Sequence, residues 1–336
     1  MSFRTADGAS YQGRDSSGHE RFSVSIPYDD HGYFGRECPA CDQIFRMNGE
    51  DYDALPDDLL LTCPYCGHRE EHNEFMTTQQ RDRVIRVAQD AAMQLVSDAL
   101  NKSFGSMARS TRNSRFVKVT YRSKPFYPQP LPGIDEERLV RARTCLDCGV
   151  RYAVFGEHRF CPVSGALGAS VVAEDAFAAE RVKLVALDDI PTEQRAVLRE
   201  QGVYDRIAVD TLGRVVGIVE AFACSEYRRR VPDAAASLKG RGNVFQRLDD
   251  LADLFGPLGS DPRDVPGIDW AALKRLWAAR HAHIHADGRV DEKYLRAVPD
   301  SPLKLGQRIV VSPQDARSAI ELAATLCAAI DDRVDR

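Results

Sequence analysis

Residues 270–285 read Trp-Ala-Ala-Leu-Lys-Arg-Leu-Trp-Ala-Ala-Arg-His-Ala-His-Ile-His, with Ala286-Asp287-Gly288 following. Leu273, Leu276 and Trp277 recur at helical spacing, Asp269 stands where a helix needs an acceptor for its first amides, and a glycine turn closes the run. The stretch is expected to be a helix over 269–285 with one face in a core. Its last turns are unusual, because Arg280, His281, His283 and His285 stand where a surface helix ordinarily ends in lysine and glycine. His281 and His285 are four apart and share a face, whereas Arg280 and His285 are five apart and diverge by about 140°. For Arg280 and His285 to act on one phosphate, the helix must loosen near His285 or two copies must face each other.

Other apolar helical patterns flank this one. Residues 209–227 carry Leu212, Val215, Val216, Ile218, Val219, Phe222 and Cys224; residues 243–255 carry Val244, Leu248, Leu251, Leu254 and Phe255. Ser312-Pro313-Gln314-Asp315 combines an N-terminal cap, a proline in the first turn and an acid at the third position, which opens a helix over 316–334 lined by Ala319, Ile320, Ala323, Cys327 and Ile330. With modest connections these helices are expected to form an up-and-down four-helix bundle over 205–336, with Cys224 and Cys327 in its core as small hydrophobes. Shorter helices over 175–187 and 192–200, with Pro191 at a helix start, connect it to what precedes, across 171–204.

The first half of the chain has a different character. Cys38-Pro-Ala-Cys41 and Cys63-Pro-Tyr-Cys66 are knuckles that place four thiolates around one zinc ion, and the ion substitutes for a core too small to fold alone. His68 and His72, just beyond, are expected to face solvent. Cys145, Cys148 and Cys161 repeat the pattern, but Ser164 holds the last position; either His158 supplies the fourth ligand of a second zinc or that site is degenerate. Residues 21–123 are read as a zinc ribbon with short strands at 22–26 and 116–121 and a long helix from Thr77. That helix has a capping box with Gln80 and an inward face of Val84, Val87, Ala88, Ala91, Leu95 and Ala99. Residues 124–134, with four prolines, form an extended linker, 135–170 the second ribbon, and 1–20 a mobile terminus. The fold class is α+β: a ribbon region with short strands and a long helix, then an all-α bundle.

Composition narrows the function. A net charge of −5 argues against coating nucleic acid with the whole surface, so such contact must be local. Arg228, Arg229, Arg230, Lys239 and Arg241, expected between the first two bundle helices, are candidates for it, or a solvated basic loop. No segment approaches the roughly 20 apolar residues of a membrane span, residues 1–10 lack the apolar core that a secretory leader needs, and paired cysteines suit a reducing compartment. A cytoplasmic protein that makes no membrane contact is expected.

The arrangement of Arg280, four residues and His285, with polar His281 directly after the arginine and Asp287-Gly288 and Val290-Asp291-Glu292-Lys293-Tyr294 beyond, resembles the HEPN superfamily of helical nucleotide-binding domains. The resemblance covers residues 205–336. It implies cleavage of RNA without a metal or other cofactor, at a composite site across a homodimer or higher homo-oligomer. Arg280 would stabilise charge on the scissile phosphate, His285 would be the general acid or base, and His281 the supporting polar residue. It further suggests a toxin or antiviral defence effector, with the ribbon region meeting a regulatory partner. The chemistry suits these side chains independently, since histidine titrates near neutrality and arginine is always charged. Two other readings stand beside it: a zinc-stabilised adaptor that binds nucleic acid or protein without cutting, and a metallohydrolase using the alternating histidines.

Overall fold

The computed structural model describes residues 3–113, 116–117, 119–135, 141–165 and 167–331. The chain is mixed α and β and divides into two compact units, one of residues 1–155 with 160–165, the other of residues 156–159 with 166–336. The proline-rich stretch is thus not the boundary, and both cysteine groups belong to the first unit.

The first unit opens with a hairpin rather than a trailing terminus: β1 (Ala9–Arg14) pairs antiparallel with β2 (Glu20–Val24), and the rings of Phe3, Tyr11 and Phe22 pack together. β3 (Tyr33–Glu37) and β4 (Ile44–Asn48) flank the first knuckle, and a short helix α1 (Gly49–Asp53) follows, capped by Asn48. β5 (Leu61–Thr62) and β6 (Arg69–Glu70) flank the second knuckle. Helix α2 (Thr78–Ser110) begins at Thr77 with the expected capping box to Gln80. β7 (Arg141–Thr144) and β8 (Arg151–Val154) flank the third knuckle and complete a sheet of order β3-β4-β8-β7.

This sheet has internal symmetry. Two hairpins, each carrying a Cys-x2-Cys knuckle at its tip, meet along β4 and β8, where Arg46 faces Ala153 and Met47 faces Tyr152. The remaining knuckles are joined reciprocally: the Thr62 amide donates to Pro162 O at 2.8 Å, and the Phe160 amide donates to Pro64 O at 3.1 Å. The two ribbons are therefore halves of one pseudo-two-fold structure, not separate modules.

Two further expectations for this unit fail. The apolar face assigned to α2 is not core, since Val84 and Leu95 are exposed; the buried stripe is Gln80, Arg83, Val87 and Gln94. Polar reach secures it instead, with Arg83 donating to Pro132 O at 2.6 Å and Gln80 to Gly35 O at 2.7 Å. Phe116, Val117 and residues 119–121 form no strand, and Lys118 lies outside the described residues.

The second unit is helical: α3 (Ala169–Asp188), α4 (Thr192–Glu200), α5 (Val203–Arg230), α6 (Ala234–Leu238), α7 (Leu248–Phe255), α8 (Trp270–His285), α9 (Glu292–Ala297) and α10 (Pro313–Ile330). α5 packs against α3, α8 and α10, which explains its broad buried apolar surface of Leu212, Val215, Val216, Val219, Phe222 and Ala223, while Arg206, Asp210, Arg214 and Ser225 stay exposed. Leu212, Val215, Val219, Phe255, Leu273, Leu276, Ile320 and Leu326 meet in one core, with Cys327 buried and Cys224 partly so. α3 begins six residues before the expected start and joins this core through Phe177 and Leu184, so the helical unit includes it rather than starting at residue 205. Residues 243–255 are not one helix, because a 3-10 turn over Val244–Gln246 precedes α7. α10 starts with the expected capping box of Ser312 and Asp315; Val334, its expected end, lies outside the described residues. Among the described residues no helix is long and apolar enough to cross a membrane.

Candidate functional site

α8 is pinned at both ends. Asp269 accepts from the Ala272 amide at 2.9 Å, and Leu273, Leu276, Trp277 and Ala282 are buried. At the other end the helix does not loosen. It runs through His285, and the amides of Ala286 and Gly288 both donate to Ala282 O, at 2.8 and 3.0 Å. Gly288 has φ +69°, and a side chain there would strike the His283 ring, so glycine is required on two grounds. His283 lies 3.1 Å through Nε2 from Ile309 O, in the segment that pairs back onto 288–290. It thus fastens the helix end to the following chain. Burial holds its pKa below the usual histidine range.

Arg280, His281 and His285 nevertheless share a site. All three line one cavity of about 540 Å³, together with Arg247, Asp249, Asp250, Lys274, Trp277, Lys293 and Arg296. The helix does not fray at His285, and all three residues line this cavity from one intact helix. Two of the cations are already paired, Lys274 with Asp249 at 2.9 Å and Arg247 with Asp250. Arg280, Lys293 and Arg296 have no carboxylate partner among the described residues, which leaves the cavity electropositive. Arg280 Nε and Trp277 Nε1 are buried without a hydrogen-bond acceptor among those residues. Both groups only donate, so they suit a ligand rich in acceptor oxygens.

The two imidazoles lie one turn apart, with ring centroids separated by 4.4 Å and planes tilted by 42°. His281 is partly buried and His285 exposed. Burial, then the Lys293 ammonium and His285, holds the pKa of His281 below the usual histidine range.

The basic run is placed differently from expectation. Arg228, Arg229 and Arg230 are the last turn of α5, not a loop. Arg229 pairs with the buried Glu226 at 2.6 Å, and Arg230 is buried against Phe255, donating to Ser260 Oγ at 2.9 Å and to Ile330 O. Arg230 thereby closes the C-terminal end of α10. Arg228, Lys239 and Arg241 are exposed and do not line the cavity.

The first unit holds two thiol groups. Cys38, Cys41, Cys63 and Cys66 converge, with Sγ atoms 3.7 Å apart in the pairs Cys38–Cys66 and Cys41–Cys63. Sulfurs about 2.3 Å from a tetrahedral metal stand about 3.8 Å from one another, so the spacing fits zinc. Burial raises the pKa values of the Cys38 and Cys63 thiols. A divalent cation reverses that preference by binding the thiolates. The backbone is common to all four knuckles: the amides of Asp42, Gly67, Gly149 and Gly165 each donate to the carbonyl of the cysteine four residues earlier, and each of those residues has positive φ.

Cys145, Cys148 and Cys161 form the second group, compatible with a metal ion through three thiolates. Ser164 Oγ lies 3.5 Å from Cys145 Sγ, at the place the fourth cysteine takes in the first ribbon. Burial raises the Cys145 thiol pKa, but hydrogen bonds from Ser164 and the backbone amides of Cys148 and Asp147 outweigh it and leave it lowered. His158, expected as the fourth ligand, is not in this group. It belongs to the helical unit, where its buried Nδ1 stands 3.0 Å from Asp175 Oδ2. His68 and His72 do not face solvent freely either, since both are partly buried and His72 Nδ1 is 2.9 Å from Tyr52 Oη.

Sequence reasoning missed Arg247, Lys274 and Arg296 as cavity residues. Arg296 alone left a trace, three positions after Lys293 on α9. No family model, characterised protein or solved structure matches the chain.

Proposed function

We propose that the chain is a metal-independent endoribonuclease whose helical unit is a HEPN-like four-helix domain working as a homodimer. The observation that carries this reading is the convergence of Arg280, His281 and His285 on one electropositive cavity. In this reaction a ribose 2′-oxygen attacks the adjacent phosphorus, the phosphorus–5′-oxygen bond breaks, and the products end in a 2′,3′-cyclic phosphate and a 5′-hydroxyl. Arg280 holds the phosphate as negative charge builds on its oxygens, and Lys293 and Arg296 hold the flanking backbone. His285 moves a proton. His283, turned toward Ile309, does not join the other two imidazoles, which argues against a three-histidine metal centre in this cavity. The thiol groups hold zinc as a structural ion, in a cytoplasm that keeps cysteines reduced.

The test is cleavage of total RNA in EDTA by wild type, Arg280→Ala and His285→Ala, each checked for retained helix content by circular dichroism. Wild type is expected to leave cyclic-phosphate ends, and each substitution to slow cleavage by about 10²-fold or more. Absence of wild-type cleavage, or its survival in both variants, overturns the assignment and leaves the non-cutting adaptor. Activity that EDTA removes while the thiol-held unit stays folded points to a metal-dependent reaction instead.

A further inference from the structure

In-line displacement at phosphorus needs a proton acceptor on the attacking side and a proton donor on the leaving side. A single histidine per chain supplies one of these, and a shared dimer site would supply the other from the second copy. Resting on the ribonuclease reading, we infer that His281 is a second catalytic residue, the proton acceptor to His285's proton donor, so that one chain carries a complete acid–base pair.

The geometry that supports this is local. The rings of His281 and His285 are 4.4 Å apart on one face of α8, both line the cavity that holds Arg280, and no ion pair or side-chain hydrogen bond occupies either ring among the described residues. The third imidazole, His283, has been drawn away to Ile309 O, so the selection of two rings from three is made by the fold. Depth separates the roles, because His281 is partly buried and His285 is exposed.

Burial is the main influence that disfavours protonation of the inner ring, and most of the charges around it add to that effect. Lys293 from α9, with Arg280 and His285 from α8, disfavour protonation of His281, and Asp291 at the start of α9 opposes them. Arg247, Asp249, Asp250, Lys274 and Arg296 complete the charged lining. Lowering the pKa favours the neutral ring, which is the form that accepts a proton. The step balances: the 2′-hydroxyl proton passes to His281 as the 2′-oxygen–phosphorus bond forms, and His285 gives its proton to the 5′-oxygen as that bond breaks. Proton exchange with water then resets both rings for the next turnover.

The experiment uses the full chain and an oligoribonucleotide spanning a cleavage site mapped on wild type, made with either the normal linkage or a 5′-thio linkage. A thiolate leaves without protonation, so the second substrate removes the need for an acid. His281→Ala is expected to slow cleavage by about 10²-fold, lose the acidic limb of the pH–rate profile, and stay slow on the thio substrate. His285→Ala is expected to lose the basic limb and recover on the thio substrate. Mixing the two variant proteins restores nothing if the pair lies in one chain. A His281→Ala enzyme with wild-type rate and an intact bell, recovery of His281→Ala on the thio substrate, full activity in His281→Asn, or restored activity on mixing overturns the pair. Wild type that does not cleave overturns the ribonuclease reading as a whole, an outcome distinct from failure of His281 alone.

Discussion

The two units of this chain hold themselves together by different physical means. The first surrounds its sulfurs with short strands and little apolar mass, chiefly Phe34, Phe45, Met47, Leu61, Phe75 and Tyr152. The second buries a continuous set of aliphatic and aromatic side chains along α3, α5, α7, α8 and α10. The contrast shows where chemistry can be placed. A unit whose core is apolar can set an arginine and two imidazoles at its surface without using them for stability, whereas in the ribbon unit the reactive groups are themselves the core.

On the proposal that the four-thiol site of Cys38, Cys41, Cys63 and Cys66 holds zinc, its removal is expected to separate the two units most sharply. Structural zinc contributes about 10–16 kcal/mol to folding of small zinc-binding domains. Chelation, or Cys63→Ser, is therefore expected to open residues 33–70 to protease while α5, α8 and α10 remain protected; simultaneous loss of both units would show that the helical core depends on the ribbons. Phe255→Ala, which empties the centre of the helical core, is expected to lower that unit's stability by about 3–5 kcal/mol without changing metal content, as read by a thermal scan beside metal analysis. An unchanged melting temperature would mean that Phe255 is not central to that core. Ser164→Cys compares the two ribbons directly and should have the smallest effect. A fourth thiolate is expected to tighten the second site by about tenfold, or 1.4 kcal/mol, against a competing chelator. Equal affinity in the two proteins would indicate that the serine hydroxyl already serves as a full ligand.

Local signals were legible in the sequence where one or two residues settle the geometry. Asp269 fixed the start of α8, Ser312 and Asp315 that of α10, and Thr77 with Gln80 that of α2. The four knuckles were legible because each needs only cysteine spacing and a residue that tolerates positive φ. Convergence was not legible. Nothing in the run Arg247-Leu248-Asp249-Asp250 announces that it shares a cavity with α8, because no local period records which surface side chains meet. The α2 face was misread for a related reason, since apolar residues at helical spacing describe a stripe and not its environment. The symmetry of the ribbons is not legible because pairing of β4 with β8 joins segments far apart in the chain.

That pairing bears on how the protein is made. Arg46 and Ala153 meet across about a hundred residues of intervening chain, a separation that slows formation of a sheet because a long loop must close first. The first ribbon has all four of its cysteines by residue 66, whereas the central sheet stays half-built until β8 has been synthesised. During that interval β4 is an open edge, with unpaired amides and carbonyls where Arg46 and Met47 will later find their partners. A newly made chain thus passes through a stage in which the four-thiol cluster can close but the sheet cannot, and strand-to-strand association between chains is the hazard of that stage.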